Sequence, residues 1–305
     1  MENQFRIAAF RWLEEKKDYY GDVFPRSVLE KGFEFKGERI TFVGPQGIWK
    51  PKVFGFIPLS ITTVPKGPYD DSFSKDGFLL YKYRGTDPTH RDNRGLREAM
   101  RLQVPLIYFH GIIPNKYLAT WPVFIIEDNP KELCFTVAVD EYDLSEISET
   151  KVFLAENGYV KEKKDLKRSY ITSQFKRRLH QRGFRERVLR AYREQCAFCR
   201  LRHQELLDAA HIIPDKEEQG DPIISNGIAL CKIHHAAFDR NFLGISPEYK
   251  IFVRDDILKE TDGPILRYGL QKLHNERISL PRQKTNWPDP ARLQERFYRF
   301  KESAG

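Results

Sequence analysis

The chain has 305 residues, 40% of them hydrophobic and 13% aromatic, which allows two domains with ordinary packed cores. No apolar run approaches the roughly 18 residues that a membrane span needs. The first residues do not have the pattern of a signal peptide, so we expect a cytoplasmic protein. Residues 161–202 hold 15 Lys and Arg against 4 Asp and Glu, whereas the whole chain carries only +8. This basic band indicates a polyanionic partner, although a solvated charged linker would explain it equally well by itself.

The first 150 residues predict one helix followed by many short strands. Residues 4–18 have helical periodicity, and the apolar residues on one side are Phe5, Ala9, Trp12 and Leu13. A second helix is predicted at 93–102. Runs typical of strands lie at 39–43, 53–57, 78–83, 106–109, 123–126 and 135–139. Many strands with few helices predict an α+β fold, with a compact barrel-like first domain over residues 1–150.

A change of composition separates this region from the rest of the chain. Residues 141–172 are mostly polar, and we assign 151–172 as a linker. From Ser173 the pattern becomes that of a basic helix, which Gly183 could interrupt and which opens a second domain over 173–305. The arginines that we expect to contact DNA phosphates, if the partner is DNA, are Arg177, Arg178, Arg182 and Arg185.

Three of the four cysteines fall into a metal-ligand spacing. Cys196 and Cys199 are separated by two residues, as are Cys231 and His234, and a helix would place the second pair on one face. A Cys₃His set of this kind predicts structural Zn²⁺, and in a reducing compartment it is favoured over disulfides. These four ligands alone are equally consistent with a zinc-stapled fold that has no catalytic activity.

Three further residues with side chains suited to metal binding or catalysis lie near these four ligands in the sequence. His211 follows two alanines on a predicted strand, while His235 and Asp239 are four residues apart on a predicted helix and can reach one divalent cation. A histidine facing a His/Asp pair is more often a site than a structural residue. The chemistry of these side chains suits a hydrolytic metal centre.

Residues 190–246 resemble the HNH (ββα-metal) nuclease family. The resemblance lies in the knuckle at 196–199, the strand at 209–214 and the stretch from Asn226 to Asp239. It implies a zinc-stapled ββα-metal domain in which His211 is the general base that activates water against a phosphodiester. His235 and Asp239 would hold Mg²⁺ or a similar ion.

The resemblance also assigns roles to the remaining motif residues. Asn226 would tie the loop and orient His211. Many family members have an acidic ligand directly before the base, where this chain has Ala210, and strand alternation places the nearest acid, Asp208, on the opposite face. His234 and His235 are adjacent, and we assign His234 to zinc and His235 to the catalytic site.

Scattered blocks of the first domain resemble the SRA (SET- and RING-associated) family, which has a PUA-like β-barrel. The blocks are 58–61, 67–71, 78–85, 92–96, 104–109 and 117–124. The family binds DNA and flips a modified cytosine into a pocket. Asp71 and Tyr81 match its pocket positions, and Tyr69 would be a second stacking face. Tyr81 could equally be a core residue of a strand.

Together the two resemblances imply a modification-dependent restriction endonuclease. It would recognise 5-methylcytosine or 5-hydroxymethylcytosine in double-stranded DNA and cut the backbone nearby, and a homodimer would supply the two active sites needed for two strands. Two alternatives stay open. One is a defence nuclease that senses another modification, such as a phosphorothioate, or a signalling nucleotide; the other is a non-catalytic, zinc-stapled reader of modified DNA.

Overall fold

A computed structural model describes residues 2–64, 73–74, 78–139, 158–261 and 263–303, with only the backbone described for 158–170 and 173. The chain divides into two compact units, Met1–Leu179 and His180–Gly305. Both mix helices and strands, so the predicted α+β class is confirmed. None of the helices in these described ranges is long and apolar enough to cross a membrane.

The first unit is built on a seven-stranded sheet that curls into a half-barrel. The strands are β1 (Val23–Pro25), β4 (Ile48–Trp49), β5 (Ser60–Thr63), β6 (Leu79–Lys82), β7 (Leu106–Ile113), β8 (Lys116–Asn129) and β9 (Cys134–Val139). Their order in the sheet is β4-β5-β7-β8-β9-β6, and β1 pairs with β8. The β5–β7 pair is parallel and the other pairs are antiparallel. A separate hairpin joins β2 (Phe33–Phe35) to β3 (Glu38–Ile40), and the helices are α1 (Glu2–Tyr20), α2 (Arg26–Lys31) and α3 (Arg91–Arg101).

The central strands are buried on both faces because a different layer covers each face. Along β7, Leu106 and Tyr108 join the core that contains Phe135, whereas Ile107 and Phe109 join the core beneath α1. Alternate side chains of a strand point to opposite faces, so both sets can be apolar. SRA or PUA identity for this unit stays a prediction.

Several sequence expectations for the first unit and the segment after it differ from the structure. The predicted strand at 53–57 is wrong: Phe54 N–H donates to Pro51 O at 3.0 Å, and the segment forms turns between two prolines. Helix α4 (Gly158–Ala191) begins inside the segment assigned as linker and passes through Gly183. The division at 179/180 also differs from the expected limits, and the predicted domain ranges stay a prediction.

The second unit has a ββα core. Strands β10 (Leu207–His211) and β11 (Gly227–Cys231) pair antiparallel, and α5 (Lys232–Asp239) follows β11 without a gap. Further elements are β12 (Leu243–Ile245), β13 (Ile251–Val253), α6 (Asp255–Lys259), a π-helical turn at Ile265–Leu270 and α7 (Pro290–Glu302). Apolar residues from α4, both hairpins and α7 form one core around Phe238. This core fixes α5 against β10, where the motif residues lie.

Candidate active site and metal centre

The three cysteines and His234 come together at the start of α5. Their ligand atoms all lie within 4.8 Å of one another, and this is the one such group of three or more ligands in the described ranges. Zinc bonds of about 2.0–2.3 Å in a tetrahedron place donors roughly 3.3–3.8 Å apart. His234 Nδ1 lies 3.2 Å from Cys231 Sγ and 3.4 Å from Cys196 Sγ, so the four residues fit a zinc ion.

The local backbone explains why the thiols converge. Arg200 N–H donates to Cys196 O at 3.0 Å and closes the knuckle, with Arg200 in the left-handed region at φ 62°. Cys231 ends β11 and caps α5, so His234 lies on the first turn of that helix. Hydrogen bonds from the thiols of Cys196 and Cys199 lower the pKa of Cys231, which favours the thiolate that a metal binds.

The second nitrogen of His234 is also occupied. His234 Nε2 lies 2.7 Å from Gly269 O, a carbonyl of the π-helical turn at Ile265–Leu270. A carbonyl oxygen only accepts hydrogen bonds, so Nε2–H donates to it and Nδ1 keeps its lone pair for the sulfur cluster. The structure therefore groups His234 with the cysteines.

His211 ends β10 opposite Gly227 of β11. Its imidazole stacks on Phe184 of α4, with ring centroids 4.0 Å apart and planes 17° apart. A side chain at position 227 would collide with Val188 and Phe184, so glycine is required where α4 crosses the hairpin. The stacked helix residue fixes the plane of the His211 ring.

The environment of His211 keeps its imidazole neutral. Burial lowers the pKa of His211, against the opposing effect of Asp215 and with a further lowering by His235. Its Nε2 is buried and has no hydrogen-bond partner within the described part of the chain. Leaving a buried polar atom unpaired costs about 1–3 kcal/mol.

His235 and Asp239 share one side of α5. His235 Nε2 lies 3.3 Å from Asp239 Oδ2, while donors next to each other on a Mg²⁺ ion are about 3 Å apart for bonds of 2.0–2.1 Å. The Asp239 side chain is 54% exposed and that of His235 is 24% exposed, so the pair opens to solvent. The two residues can hold a divalent ion and leave its other positions to water and substrate.

Asp208 lies on the other edge of the His235 ring. Its Oδ2 is 3.5 Å from His235 Nδ1, a contact that the strand-alternation argument did not foresee. This interaction raises the pKa of His235 against the opposing effect of burial. Burial raises the pKa of Asp208, but the contact with His235 and the N–H of Ala209 outweigh it, and the pKa is lowered.

Asn226 is fully buried and holds the loop between β10 and β11. Its Oδ1 accepts from Ile213 N–H at 2.9 Å, and its Nδ2 donates to Ile213 O at 3.0 Å and to Asp221 O at 3.1 Å. The Asn226 carbonyl also accepts from Ile212 N–H. These bonds fix the chain directly after His211, and the fully buried amide is not placed to touch a substrate.

The basic helix residues have different surroundings. Arg177 and Arg178 are exposed and Arg182 is half-buried. Arg185 instead points inward: it donates to Leu207 O at 2.8 Å and Gln204 O at 3.1 Å, and it pairs with the buried Glu186 at 2.7 Å. We therefore correct the assignment of Arg185 to DNA phosphate, because its guanidinium already has internal partners.

The sequence of the C-terminal helix carries no catalytic motif, yet α7 contacts the end of α5. Arg296 donates to Phe238 O at 2.8 Å, at the end of α5 next to Asp239, and its guanidinium lies 4.9 Å from the Phe238 ring centroid. Burial lowers the pKa of Arg296, and the charge of Asp239 raises it. No local motif signals this contact because the two helices are far apart in sequence.

The structure places only one residue of the expected base pocket. Tyr81 is 7% exposed within the core of the first unit, and its hydroxyl lies 3.4 Å from Thr62 O. Burial raises its pKa. A buried ring cannot stack on a flipped base, so the stacking role of Tyr81 is corrected to a core role. Tyr69 and Asp71 lie outside the described residues.

Comparison with known proteins gives one family match. Residues 196–246, which lie inside the second unit, match the family model described as HNH endonuclease. No curated protein matches the chain.

Two solved structures were found to be similar. "Modification dependent TagI restriction endonuclease" has 15% identity and a TM-score of 0.27, covering 80% of this chain and 81% of that one. "Structure of the Type IV phosphorothioation-dependent restriction endonuclease ScoMcrA" has 15% identity and a TM-score of 0.22, covering 58% of this chain and 52% of that one. With both TM-scores below 0.5, neither match carries an argument about this chain.

Proposed function

We propose that this chain is a metal-dependent DNA endonuclease whose HNH domain hydrolyses phosphodiester bonds. One observation supports the proposal: His211 ends β10, and His235 and Asp239 lie 3.3 Å apart on α5, the helix that packs against this strand beside the Cys₃His cluster. All seven residues fall inside the segment that matches HNH endonucleases. A zinc-stapled fold without catalysis does not need the additional histidine and carboxylate.

Different side chains have different roles in the proposed hydrolysis. His211, neutral because burial lowers its pKa, takes a proton from the attacking water. Phe184 holds its ring plane, and Asn226 holds the loop that follows it. His235 and Asp239 would hold a divalent cation, which would stabilise the charge on the phosphate and on the departing oxygen.

The first unit supplies the finer part of the proposal, recognition of 5-methylcytosine or 5-hydroxymethylcytosine by base flipping. The resemblance of its ordered blocks to SRA domains supports this role. Because Tyr81 is buried, the pocket proposal rests on Tyr69 and Asp71. Arg177 and Arg178 would position duplex DNA through its phosphates, and a homodimer would bring two active sites to the two strands.

Cleavage of matched plasmids tests both levels of the proposal. The full chain is incubated with one plasmid prepared unmodified, with 5-methylcytosine, with 5-hydroxymethylcytosine or with phosphorothioate linkages, in the presence of Mg²⁺ or Mn²⁺. We expect divalent-dependent cutting of the cytosine-modified plasmids only. Equal cutting of all four plasmids, or preference for the phosphorothioate, would remove the modified-cytosine role and keep the nuclease.

The non-catalytic alternative has a separate outcome. Binding of modified DNA without cutting under Mg²⁺, Mn²⁺, Co²⁺ and Ni²⁺ would overturn the endonuclease proposal. In that case the Cys₃His cluster would serve a DNA reader.

A further inference from the structure

Helix α7 carries three arginines on one side, because Arg292, Arg296 and Arg299 are four and three residues apart. Two of them are bound to carboxylates of the loop between β10 and β11. Arg299 donates to both carboxylate oxygens of Glu217 at 2.7 Å, and Arg292 Nη2 lies 3.4 Å from Asp221 Oδ2. These two guanidinium groups therefore have their counter-charges inside the protein.

The middle arginine, Arg296, has no such counter-charge. Within the described ranges no carboxylate oxygen lies within 4.0 Å of its guanidinium, and only Nη2 donates hydrogen bonds, to Phe238 O at 2.8 Å and to Asp239 O at 3.4 Å. Nε and Nη1 have no hydrogen-bond partner in those ranges, and neither is among the fully buried atoms that lack one, so both are open to solvent. The side chain is half-buried. Because a cation partly removed from water is costly without a counter-charge, an anion at Nε and Nη1 would be stabilising.

The contacts of Arg296 hold its guanidinium in one place. Its central carbon lies 4.9 Å from the centroid of the Phe238 ring, and two carbonyls at the end of α5 accept from Nη2. Binding to those carbonyls uses one nitrogen of three. A guanidinium offers parallel N–H donors that match two oxygens of a phosphate, so an arginine held in this way with two unused nitrogens is suited to binding a phosphate.

One of the residues that Arg296 contacts belongs to the candidate catalytic site. Asp239 accepts from Arg296 through its backbone oxygen, while its carboxylate is 54% exposed beside His235. A DNA strand carries one phosphate per nucleotide, so a strand bound at His235 and Asp239 would bring phosphates to the surface around this end of α5. Arg296 is the arginine of α7 whose charge is still available there.

We propose that Arg296 binds a phosphate of the DNA substrate beside the candidate cation site of His235 and Asp239. The inference rests on the proposed function of that site. It adds a substrate-binding residue from outside the segment 196–246 that matches HNH endonucleases. The competing explanation is a structural role, in which Arg296 only ties α7 to the end of α5.

Arg296→Met and Arg299→Met form a matched pair of variants. Each removes one positive charge from the same side of α7 and keeps an unbranched side chain. They differ in what the lost guanidinium was bound to, since Arg299 has Glu217 and Arg296 has two unused nitrogens. The Arg299–Glu217 pair is partly exposed, and such ion pairs contribute little to stability, so Arg299→Met controls for the loss of charge.

The first measurement is binding of a duplex containing 5-methylcytosine, followed by fluorescence anisotropy at several salt concentrations without added divalent cation. Each phosphate contact contributes roughly 0.9 to the slope of log affinity against log salt concentration. We expect the magnitude of this slope to fall by about 0.9 in Arg296→Met and to stay unchanged in Arg299→Met. Zinc content reports whether the second unit is folded.

The second measurement is single-turnover cleavage with Mg²⁺ at sub-saturating DNA. We expect Arg296→Met to be slower by about 10–150-fold, the usual worth of hydrogen bonds to charged groups, and Arg299→Met to stay within a few-fold of the unsubstituted chain. Mn²⁺ affinity, measured by electron paramagnetic resonance, should be the same in both variants, because Arg296 contacts only the backbone of Asp239.

Equal salt slopes in the two Met variants would overturn the inference. So would a loss of cleavage in Arg296→Met that is matched by weaker Mn²⁺ binding, because a displaced α5 would explain both. If Arg296→Met loses zinc, Arg296→Lys decides the question, since lysine keeps the charge but lacks the parallel donors. An unchanged slope with cleavage about tenfold slower supports the phosphate contact, and a reduced slope or full cleavage contradicts it.

The two proposals fail in different ways. A chain that cuts DNA, with equal slopes and equal rates in the two Met variants, is still a nuclease but does not use Arg296 on phosphate. A chain that binds DNA with the expected difference in slope, and cuts none under any divalent cation tested, keeps the phosphate contact and removes the endonuclease proposal.

Discussion

Two groups of candidate ligands, each with one histidine from α5, differ in how completely they would enclose an ion. The first brings four donors within 4.8 Å, and three of its residues are buried. The second has His235 and Asp239 at a solvent-facing edge, with atoms 3.3 Å apart. Closed tetrahedral sites are structural, whereas a site with open positions can take water and substrate. Consecutive residues of α5 therefore have different proposed roles.

The consecutive histidines show how the difference arises. His234 directs Nδ1 to the sulfurs and Nε2 to Gly269 O, while His235 directs Nδ1 to Asp208 and Nε2 to Asp239. The two rings therefore have different surroundings although they belong to the same residue type.

Removal of a ligand from the closed cluster should have the largest effect. Cys199 is the exposed member, so Cys199→Ser removes a thiolate without leaving a core cavity. Structural zinc contributes about 10–16 kcal/mol in zinc-finger peptides, far more than the usual stability of a domain. We expect loss of zinc, loss of the unfolding transition of the second unit and loss of cleavage, measured by metal analysis and calorimetry.

Cys134→Ser is the control, since Cys134 lies in β9 of the first unit. It should retain about one zinc per chain. Retention of zinc and of the second-unit transition in Cys199→Ser would show that the cluster does not stabilise the fold.

Loss of the proposed base should have the next largest effect and should leave the closed cluster intact. His211→Ala is expected to lower the cleavage rate by about 10²–10⁴-fold, the usual contribution of a general base, with zinc content unchanged. Single-turnover cleavage of plasmid measures it. His203→Ala, at an exposed loop position, is the matched control. A His211→Ala rate within a few-fold of the control would contradict the assignment.

Substitution of the exposed arginines of α4 tests DNA binding separately from catalysis. We expect the double variant Arg177→Gln, Arg178→Gln to lower the magnitude of the slope of log affinity against log salt concentration by about 2. Each phosphate contact contributes roughly 0.9 to that slope. The second unit should keep its zinc. Arg11→Gln with Lys16→Gln removes the same charge from exposed positions of α1. Equal slopes for both double variants would argue against phosphate contacts from α4.

The smallest effect concerns pH. Burial lowers the pKa of His211, and the base works only when neutral, so cleavage falls as pH drops through that pKa. The acidic limb of the pH–rate profile should therefore lie below about 6.5, the usual value for histidine. Single-turnover rates across acidic pH measure this limb. An acidic limb above that value would mean that His211 is not the titrating base.

The sequence predicts the motif elements well because their ligands are local. Cys231 and His234 are three residues apart, and helical geometry brings such a pair together without help from distant contacts. The strand carrying His211 and the helix carrying His235 are found where the pattern places them. Helix α1 and most strands of the first unit are also confirmed.

The contacts that complete the site could not be predicted, because tertiary packing creates them. The approach of Asp208 to His235 depends on how α5 lies against β10, and the approach of Arg296 depends on the docking of α7. Alternation along β6 does not show which side is covered, so Tyr81 could be assigned to a pocket when it belongs to a core. Spacing along the chain carries no information on these arrangements.

Anomalous diffraction from a crystal soaked in Mn²⁺ tests most directly whether the residues in and around α5 bind two different ions. We predict a zinc peak among Cys196, Cys199, Cys231 and His234, and a separate manganese peak between His235 Nε2 and Asp239 with His211 facing it. A crystal with zinc in the cluster and no manganese at His235 and Asp239 would contradict it.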